Sequence, residues 1–349
     1  MAPARRRPIT IHDVAKKAGV AFKTVSRVLN NEANVTPETQ EKVRKAIKAL
    51  DYSPSLAARV LAGSRSFLIG LLYDTPSSYY IHNIQIGALE RCRKAGFHVI
   101  LEHCNTEARN VASSIISVIK NTRMDGVILT PPVADSREIL EALVAENVPH
   151  VLVSPPELQH DVSCVHMDNR RAAFDMTSYL MSLGHKRIAF IKGHPRHGAA
   201  RLRLQGYMEA LESKGIQSNS ALIKEGNFRF RAGAEAAEQL LHLKVPPTAI
   251  FAANDEMAAG VLTAAHGLGY SVPSALSVAG FDDIFYASIT WPALTTIRQP
   301  IAEMGDGAAE LLLEQILSKK ASASGVSSSL SFKYELKIRN STGPAPSKA

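Results

Sequence analysis

Apolar positions follow one rhythm over the first fifty residues and another over the rest. Ile11, Val14, Ala15 and Ala18 recur at helical spacing, and Val25, Val28 and Leu29 repeat it a short distance on. Thr10 can cap the first of these helices, with Asp13 as the acid of a short capping box. Gly19 supplies the tight turn between them, which a bulkier residue would resist. The second helix runs from about Phe22 to Leu29 and keeps Phe22, Lys23, Ser26 and Arg27 on its outer side. This is the layout of a helix-turn-helix, whose second helix enters the DNA major groove. Thr36-Pro37 starts a third helix, with Val43, Ala46, Ile47 and Leu50 turned inward. Ser53-Pro54 repeats that start ahead of SLAARVLAG, a helix too short to be stable alone.

From Phe67 the pattern changes to apolar runs of strand length alternating with helical stretches. FLIGLLYD, FHVILEHC, DGVILTPP, VPHVLVS and SCVHMD read as strands, with helices over residues 79–96, 107–122 and 136–146 between them. After a helix near 170–183, a second series follows: RIAFIKG, ALIKEGNF, TAIFAAND and LSVAGFDD, with helices over 199–215 and near 231–243 and 256–268. Such β-α repetition predicts a parallel sheet with helices on both faces. Two successive series predict two lobes around a cleft.

At 349 residues, 46% hydrophobic and 21% charged, the composition is that of an ordinary globular protein of two or three domains. No apolar run reaches membrane length, and the basic start MAPARRRPIT lacks the apolar core of a secretory signal. A cytoplasmic protein with no membrane partner is therefore expected. Cys92, Cys104 and Cys164 are too sparse for a disulfide framework or a zinc site. The net charge of +8 matters once it is located. Residues 1–65 hold 13 Lys and Arg against 5 Asp and Glu, so the whole excess lies there and the remainder is balanced. A local cation excess of this kind is the footprint of a polyanion-binding module. Arg5, Arg6 and Arg7 form a basic arm that reads equally as a solubilising tail or as extra phosphate contacts.

The motifs IHDVAKKAGV, TVSRVLN and NVTPETQEKVRKAIKALDYSPSLAARVLAG resemble the headpiece of the lactose-repressor/galactose-repressor family of bacterial transcription regulators. ARLRLQGY, PTAIFAANDEMAAG, SVAGFDD and PALTTIRQP resemble the family's type I periplasmic-binding-protein-like core, so the likeness covers nearly the whole chain. It implies a helical DNA-binding headpiece at 9–52, a hinge helix and linker at 53–65, and an α/β effector-binding and dimerisation domain at 67–340. Its first lobe would hold about 67–167 plus 298–326, and its second about 168–295 plus 328–340. The polar tail 341–349 is expected to be disordered and has no Leu heptads, so a homodimer rather than a tetramer is expected.

The resemblance also assigns roles. Phe22, Lys23 and Arg27 would read base edges, and Lys and Arg suit guanine O6 and N7. Thr10, Thr24, Ser26 and Asn30 complete the headpiece's DNA set, and Tyr52 would touch the DNA backbone. Ala21 stands where many relatives carry a Ser that could cap the helix and reach a phosphate. In the hinge, Ala58 would let paired helices approach, and Leu61 would wedge into a minor-groove base step.

Ligand sites in such sheets lie beyond the carboxyl ends of the strands. There the chain has Asp74, Tyr79 and Tyr80 on one lobe, and Asn254, Asp255 and Asp282 on the other. The resemblance implies that Arg203, Asn254 and Asp282 hydrogen-bond the ligand and that Phe228 lies near the aromatic ring relatives set against a sugar face. Carboxylates, amides and an Arg around an aromatic ring suit a polyhydroxylated effector; the resemblance implies a mono- or disaccharide as the commonest choice, with purines and nucleosides also found in the family. No GxSxG, Walker A, HExxH or strand-linked GxGxxG occurs, so neither enzymatic activity nor a cofactor is expected. His194 and His197 are spaced like a metal pair but sit in a Gly/Pro loop without a third ligand, and no metal is expected. The expected function is a ligand-responsive transcription regulator, a repressor that binds a palindromic double-stranded operator. The rival readings are a sugar-binding protein without a DNA role and a carbohydrate-active enzyme.

Overall fold

The computed structural model describes residues 9–29, 34–52, 65–74, 77–158, 161–318 and 327–346. They form two compact units that divide after Phe67. The expected hinge at 53–65 falls almost wholly outside the described residues, as do the basic arm and Asn30 of the expected DNA set.

In the first unit, α1 (Ile11–Ala18), α2 (Phe22–Leu29) and α3 (Pro37–Leu50) pack around Val14, Ala15, Val25, Val28, Val43 and Ala46. The Asp13 carboxylate accepts from both the amide and the hydroxyl of Thr10, each at 2.7 Å, which fixes the start of α1. Gly19 ends that helix in the left-handed region at φ 67°.

The second unit holds two parallel sheets. The first has six strands in the order β11-β5-β4-β3-β1-β2: β1 (Leu68–Tyr73), β2 (His98–His103), β3 (Gly126–Leu129), β4 (His150–Val153), β5 (Cys164–Met167) and β11 (Ser329–Phe332). The second has four in the order β7-β6-β8-β9: β6 (Ile188–Ile191), β7 (Ile223–Lys224), β8 (Ala249–Ala252) and β9 (Ser277–Ala279). Central strands such as β3 and β8 are buried along their whole length, as sheets covered on both faces require.

The covering helices are α4 (Ser78–Lys94), α5 (Val111–Thr122) and α6 (Arg137–Ala145) in the first lobe, and α7 (Asn169–Ser182), α8 (Gly198–Glu212), α9 (Phe230–Leu241) and α10 (Asp255–Gly267) in the second. Then come a short α11 (Phe285–Ile289), β10 (Thr296–Arg298), α12 (Ile301–Leu317) and β12 (Glu335–Lys337), which pairs antiparallel with β10. Helix α12 returns to the first lobe and crosses α4 at backbone distance. A Cβ on Gly87 would fall 1.9 Å from the Ala302 carbonyl oxygen, so only glycine permits the crossing.

Two expected placements change. Residues 328–340 are expected in the second lobe, but β11 runs parallel to β5 at the edge of the first sheet, with Leu330 opposite Val165, and only β12 beyond it pairs with β10. The tail from 341 was expected to be disordered, yet its first residues are built into the second lobe. Ser341 is fully buried; its Oγ donates to the Val278 carbonyl at 2.6 Å and accepts from the Thr295 amide at 2.8 Å. Thr342 and Gly343 bond to Thr295 and Ser277. A polar segment reads as solvated in sequence, but here its hydroxyls satisfy backbone groups at a sheet edge.

Candidate functional site

A cleft with about 470 Å³ of open space, part of it continuous with solvent, lies where the carboxyl ends of the two sheets face each other. The first lobe lines it with Ser77 and Tyr80 at the start of α4, Pro131 after β3 and Ser154 after β4. The second lobe adds His197, Ala199 and Arg203 from the start of α8, Phe228 after β7, Asn254 after β8 and Asp282 after β9. Gln299, between β10 and α12, completes the wall.

Arg203 is held from several sides. Its Nε donates to Asn169 Oδ1 at 2.9 Å and its Nη1 to the Ala253 carbonyl at 2.6 Å. The guanidinium lies 3.6 Å from the centre of the Phe281 ring, and Nη1 stands 3.6 Å from Asp282 Oδ1. Asp282 also accepts from Gln299 Nε2 at 2.5 Å. Burial pushes the Asp282 carboxyl up to about 6, against the pull of Arg203 and Gln299. Burial also lowers Arg203 from its ordinary value, opposed by Asp282. The pair therefore offers directional hydrogen bonding with little net field, which suits an uncharged polar ligand.

Phe228 and Asp282 both sit at positive φ, 68° and 118°. Such backbones cost of order 1–3 kcal/mol and persist only where surrounding contacts impose them. For Phe228 those contacts are Asn254, whose Nδ2 donates to its carbonyl at 2.9 Å, and Gly193, where a Cβ would lie 2.1 Å from the ring. His197 meets Phe228 edge to face at 5.2 Å. Its imidazole is buried but makes no side-chain hydrogen bond among the described residues. Burial, then the neighbouring His194 and Arg203, drives its pKa down to about 3, so it is neutral. Burial raises the Tyr80 phenol to about 12.

Of the eight effector residues expected from sequence, Tyr80, Arg203, Phe228, Asn254 and Asp282 line the cavity. Asp74, Tyr79 and Asp255 do not. Asp74 accepts from the Thr106 amide and hydroxyl at 2.8 and 2.5 Å, so it ties down the loop after β2. Burial works against its charge, but those bonds, with Arg196 and His103, hold its carboxyl below the ordinary value. Asp255 is fully buried between the Thr296 hydroxyl at 2.5 Å and the Ile284 amide at 2.9 Å. Burial and the nearby Asp282 raise its carboxyl well above the ordinary range. Tyr79 is half-buried, and its carbonyl accepts from Asn83.

The wall residues missed in sequence are Ser77, Pro131, Ser154, His197, Ala199 and Gln299. Pro131 and Ser154 follow apolar strands and could have been found by the strand-end rule. His197, at the end of the Gly/Pro loop, is buried and packs in the cavity wall.

In the headpiece, Phe22 and Lys23 are exposed at the start of α2, and Thr24, Ser26 and Arg27 are half-buried along it. Phe22 is 54% exposed, with its ring 5.4 Å from His12. The Thr10 hydroxyl is committed to Asp13. Tyr52 packs half-buried on the headpiece core, which raises its phenol pKa through burial. Asn30, Ala58 and Leu61 lie outside the described residues.

A basic helix-turn-helix followed by a two-lobed α/β core with a polar cavity between its sheets is the make-up of a DNA-binding transcription regulator. Comparison with known proteins gives the family. Residues 10–55 match "Bacterial regulatory proteins, lacI family", and residues 177–342 match "Periplasmic binding protein-like domain". The transcriptional repressor CytR of Escherichia coli (strain K12) is 36% identical over 342 residues, covering 97% of each chain. Among solved structures, the lac repressor dimer bound to operator and the anti-inducer ONPF matches with a TM-score of 0.80 at 29% identity, over 97% of this chain and 100% of that one. The transcriptional regulator CelR in complex with cellobiose matches at 0.72 and 30% identity, over 96% and 100%. The chain belongs to the lacI family of bacterial transcription regulators.

Proposed function

We propose that the protein is a dimeric repressor gated by a sugar. Two headpieces read a near-palindromic operator, with Phe22, Lys23 and Arg27 of each at base edges. The hinge segments at 53–65 open the centre of the site, each inserting Leu61 into the minor groove. A mono- or disaccharide in the cavity sets the balance between DNA-competent and DNA-incompetent arrangements of the lobes. It must bind the two unequally, and a difference of about 1–3 kcal/mol gives 5–150-fold control.

The observation that carries this reading is the cavity wall. The Phe228 ring offers an apolar face, while Arg203, Asp282, Gln299 and Asn254 surround it with donors and acceptors of balanced charge. Hydroxyl groups on a ring with one apolar face meet both demands. The CelR relative carries cellobiose. A second copy of the chain gives a partner to apolar side chains that a monomer leaves in water. Trp291 is 88% exposed, with Phe285, Tyr286 and Ile289 exposed just before it.

The test begins with selection of duplexes from a random pool by the purified protein. A palindrome with half-sites about one helical turn apart supports the dimeric reader and supplies a labelled operator. Sugars are then screened for a change in the anisotropy of that operator. No enriched palindrome, or an operator complex indifferent to every sugar but responsive to nucleosides, would overturn the corresponding half of the proposal.

A further inference from the structure

Residues 196–201, the end of the loop after β6 and the first turn of α8, reach three loops of the first lobe. The Gly198 amide donates to Asp135 Oδ2 at 2.8 Å. Arg196 donates from Nη1 to Thr106 Oγ1 at 2.8 Å and pairs through Nη2 with Glu107 at 3.0 Å. Arg201 lies 3.4 Å from Glu157. Gly198 also approaches Pro156 so closely that a Cβ there would fall 2.3 Å from the proline Cβ. The same stretch carries His197 and Ala199 of the cavity wall, with Arg203 just beyond.

These contacts are unequal. The two arginine pairs are largely exposed and contribute little. The Asp135–Gly198 bond is partly buried and charge-assisted, at the start of a 15-residue helix whose dipole favours an anion. It is also compromised. Asp135 Oδ1 is buried and makes no hydrogen bond among the described residues. Bringing the lobes together here gains one strong bond and strips water from an oxygen that receives nothing in exchange. Burial pushes the Asp135 carboxyl up to about 6 despite Gly198 and Arg201, so these surroundings disfavour its charge.

We propose that Asp135 is the positioning residue of an interlobe latch. Its bond to Gly198 aligns the first turn of α8, and with it His197 and Arg203, while its orphaned oxygen keeps the latched arrangement near balance with an opened one. An effector then needs only a modest preference to move the lobes. What the latch regulates rests on the effector-gated reading; the latch itself does not.

The latch predicts opposite effects from two substitutions. Asp135→Asn keeps an acceptor for Gly198 and removes the disfavoured charge, which shifts the lobes toward closure. Gly198→Ala sets a methyl against Pro156 and shifts them toward opening. The lobe distance is read by single-molecule energy transfer between dyes on cysteines introduced at the exposed Ser114 and Lys244, in labelled full-length chain diluted into unlabelled chain. Cys92, Cys104 and Cys164 are buried and stay unlabelled. Without added ligand, the closed-to-open ratio should rise on the order of tenfold in Asp135→Asn and fall by as much in Gly198→Ala. If Gly198→Ala does not fold by circular dichroism, Arg196→Glu, which faces Glu107 with a like charge, serves as the opening variant. Unchanged distances in Asp135→Asn, or shifts of the same sign in both variants, overturn the latch. A wild-type distance distribution indifferent to every sugar tested counts against the effector reading alone and leaves the latch result standing.

Discussion

Asn254 Nδ2 donates to the Phe228 carbonyl at 2.9 Å, while Asn254 Oδ1 accepts from the Met257 amide at 3.0 Å. One side chain thus caps α10 and holds an aromatic residue at φ 68°, a backbone that bulky residues avoid. Asn254 shapes the cavity by fixing the ring as much as by facing it. Asn254→Asp keeps the cap and replaces the donor with an oxygen that repels the Phe228 carbonyl. We expect effector affinity to fall about tenfold, with operator affinity in the absence of effector retained. Titration calorimetry with the sugar identified by the screen checks this; an unchanged affinity would falsify the positioning role.

Arg203 and Asp282 support each other in a buried site. Arg203→Ala removes the proposed effector donor and also leaves the Asp282 carboxyl without its cation. Loss of the effector response should therefore come with lower stability, by about 3 kcal/mol in urea unfolding. A variant as stable as the parent would mean that Asp282 simply takes up a proton when its partner is lost.

Leu61 belongs to the proposed hinge wedge. Leu61→Ala should weaken operator binding on the order of tenfold to a hundredfold, since less apolar surface is left to hold open the base step. Sugar binding should be spared. Equal operator affinity in parent and variant would remove Leu61 from the DNA interface.

His197 gives a signed pH dependence. An unfolded histidine takes its proton near 6.5, whereas the buried His197 resists it down to about 3. The unfolded chain therefore binds more protons between those values. The stability contributed by a neutral His197 is complete above pH 6.5 and is lost as pH falls toward 3. Replacing it with Gln removes that slope, so the difference in unfolding free energy between parent and His197→Gln should move steadily in the variant's favour on acidification over this window. Parallel curves for the two proteins would show that His197 takes its proton in the folded state as readily as in the unfolded one.

The elements and the family were legible in sequence because their signals are local. Thr10 with Asp13, Gly19, and Thr36 before Pro37 mark helix ends through bonds only a few residues long. Apolar runs of strand length alternating with helical stripes are enough to predict a covered parallel sheet, and five of the eight expected effector residues line the cavity. What the sequence could not decide was where polar groups far apart in the chain find one another. Asp255 follows an apolar strand just as Asn254 does, yet Thr296 and the Ile284 amide draw its carboxylate away from the cavity. Ser341 and Thr342 look like a solvated tail until Val278, Tyr179 and Thr295 are placed beside them. Strand β11 lies beside β5 although more than 160 residues separate the two, a pairing with no local signature. Periodicity and capping are properties of neighbours in the chain and survive in the bare sequence. The satisfaction of a buried polar group depends on which distant atoms reach it, and only the folded chain supplies them.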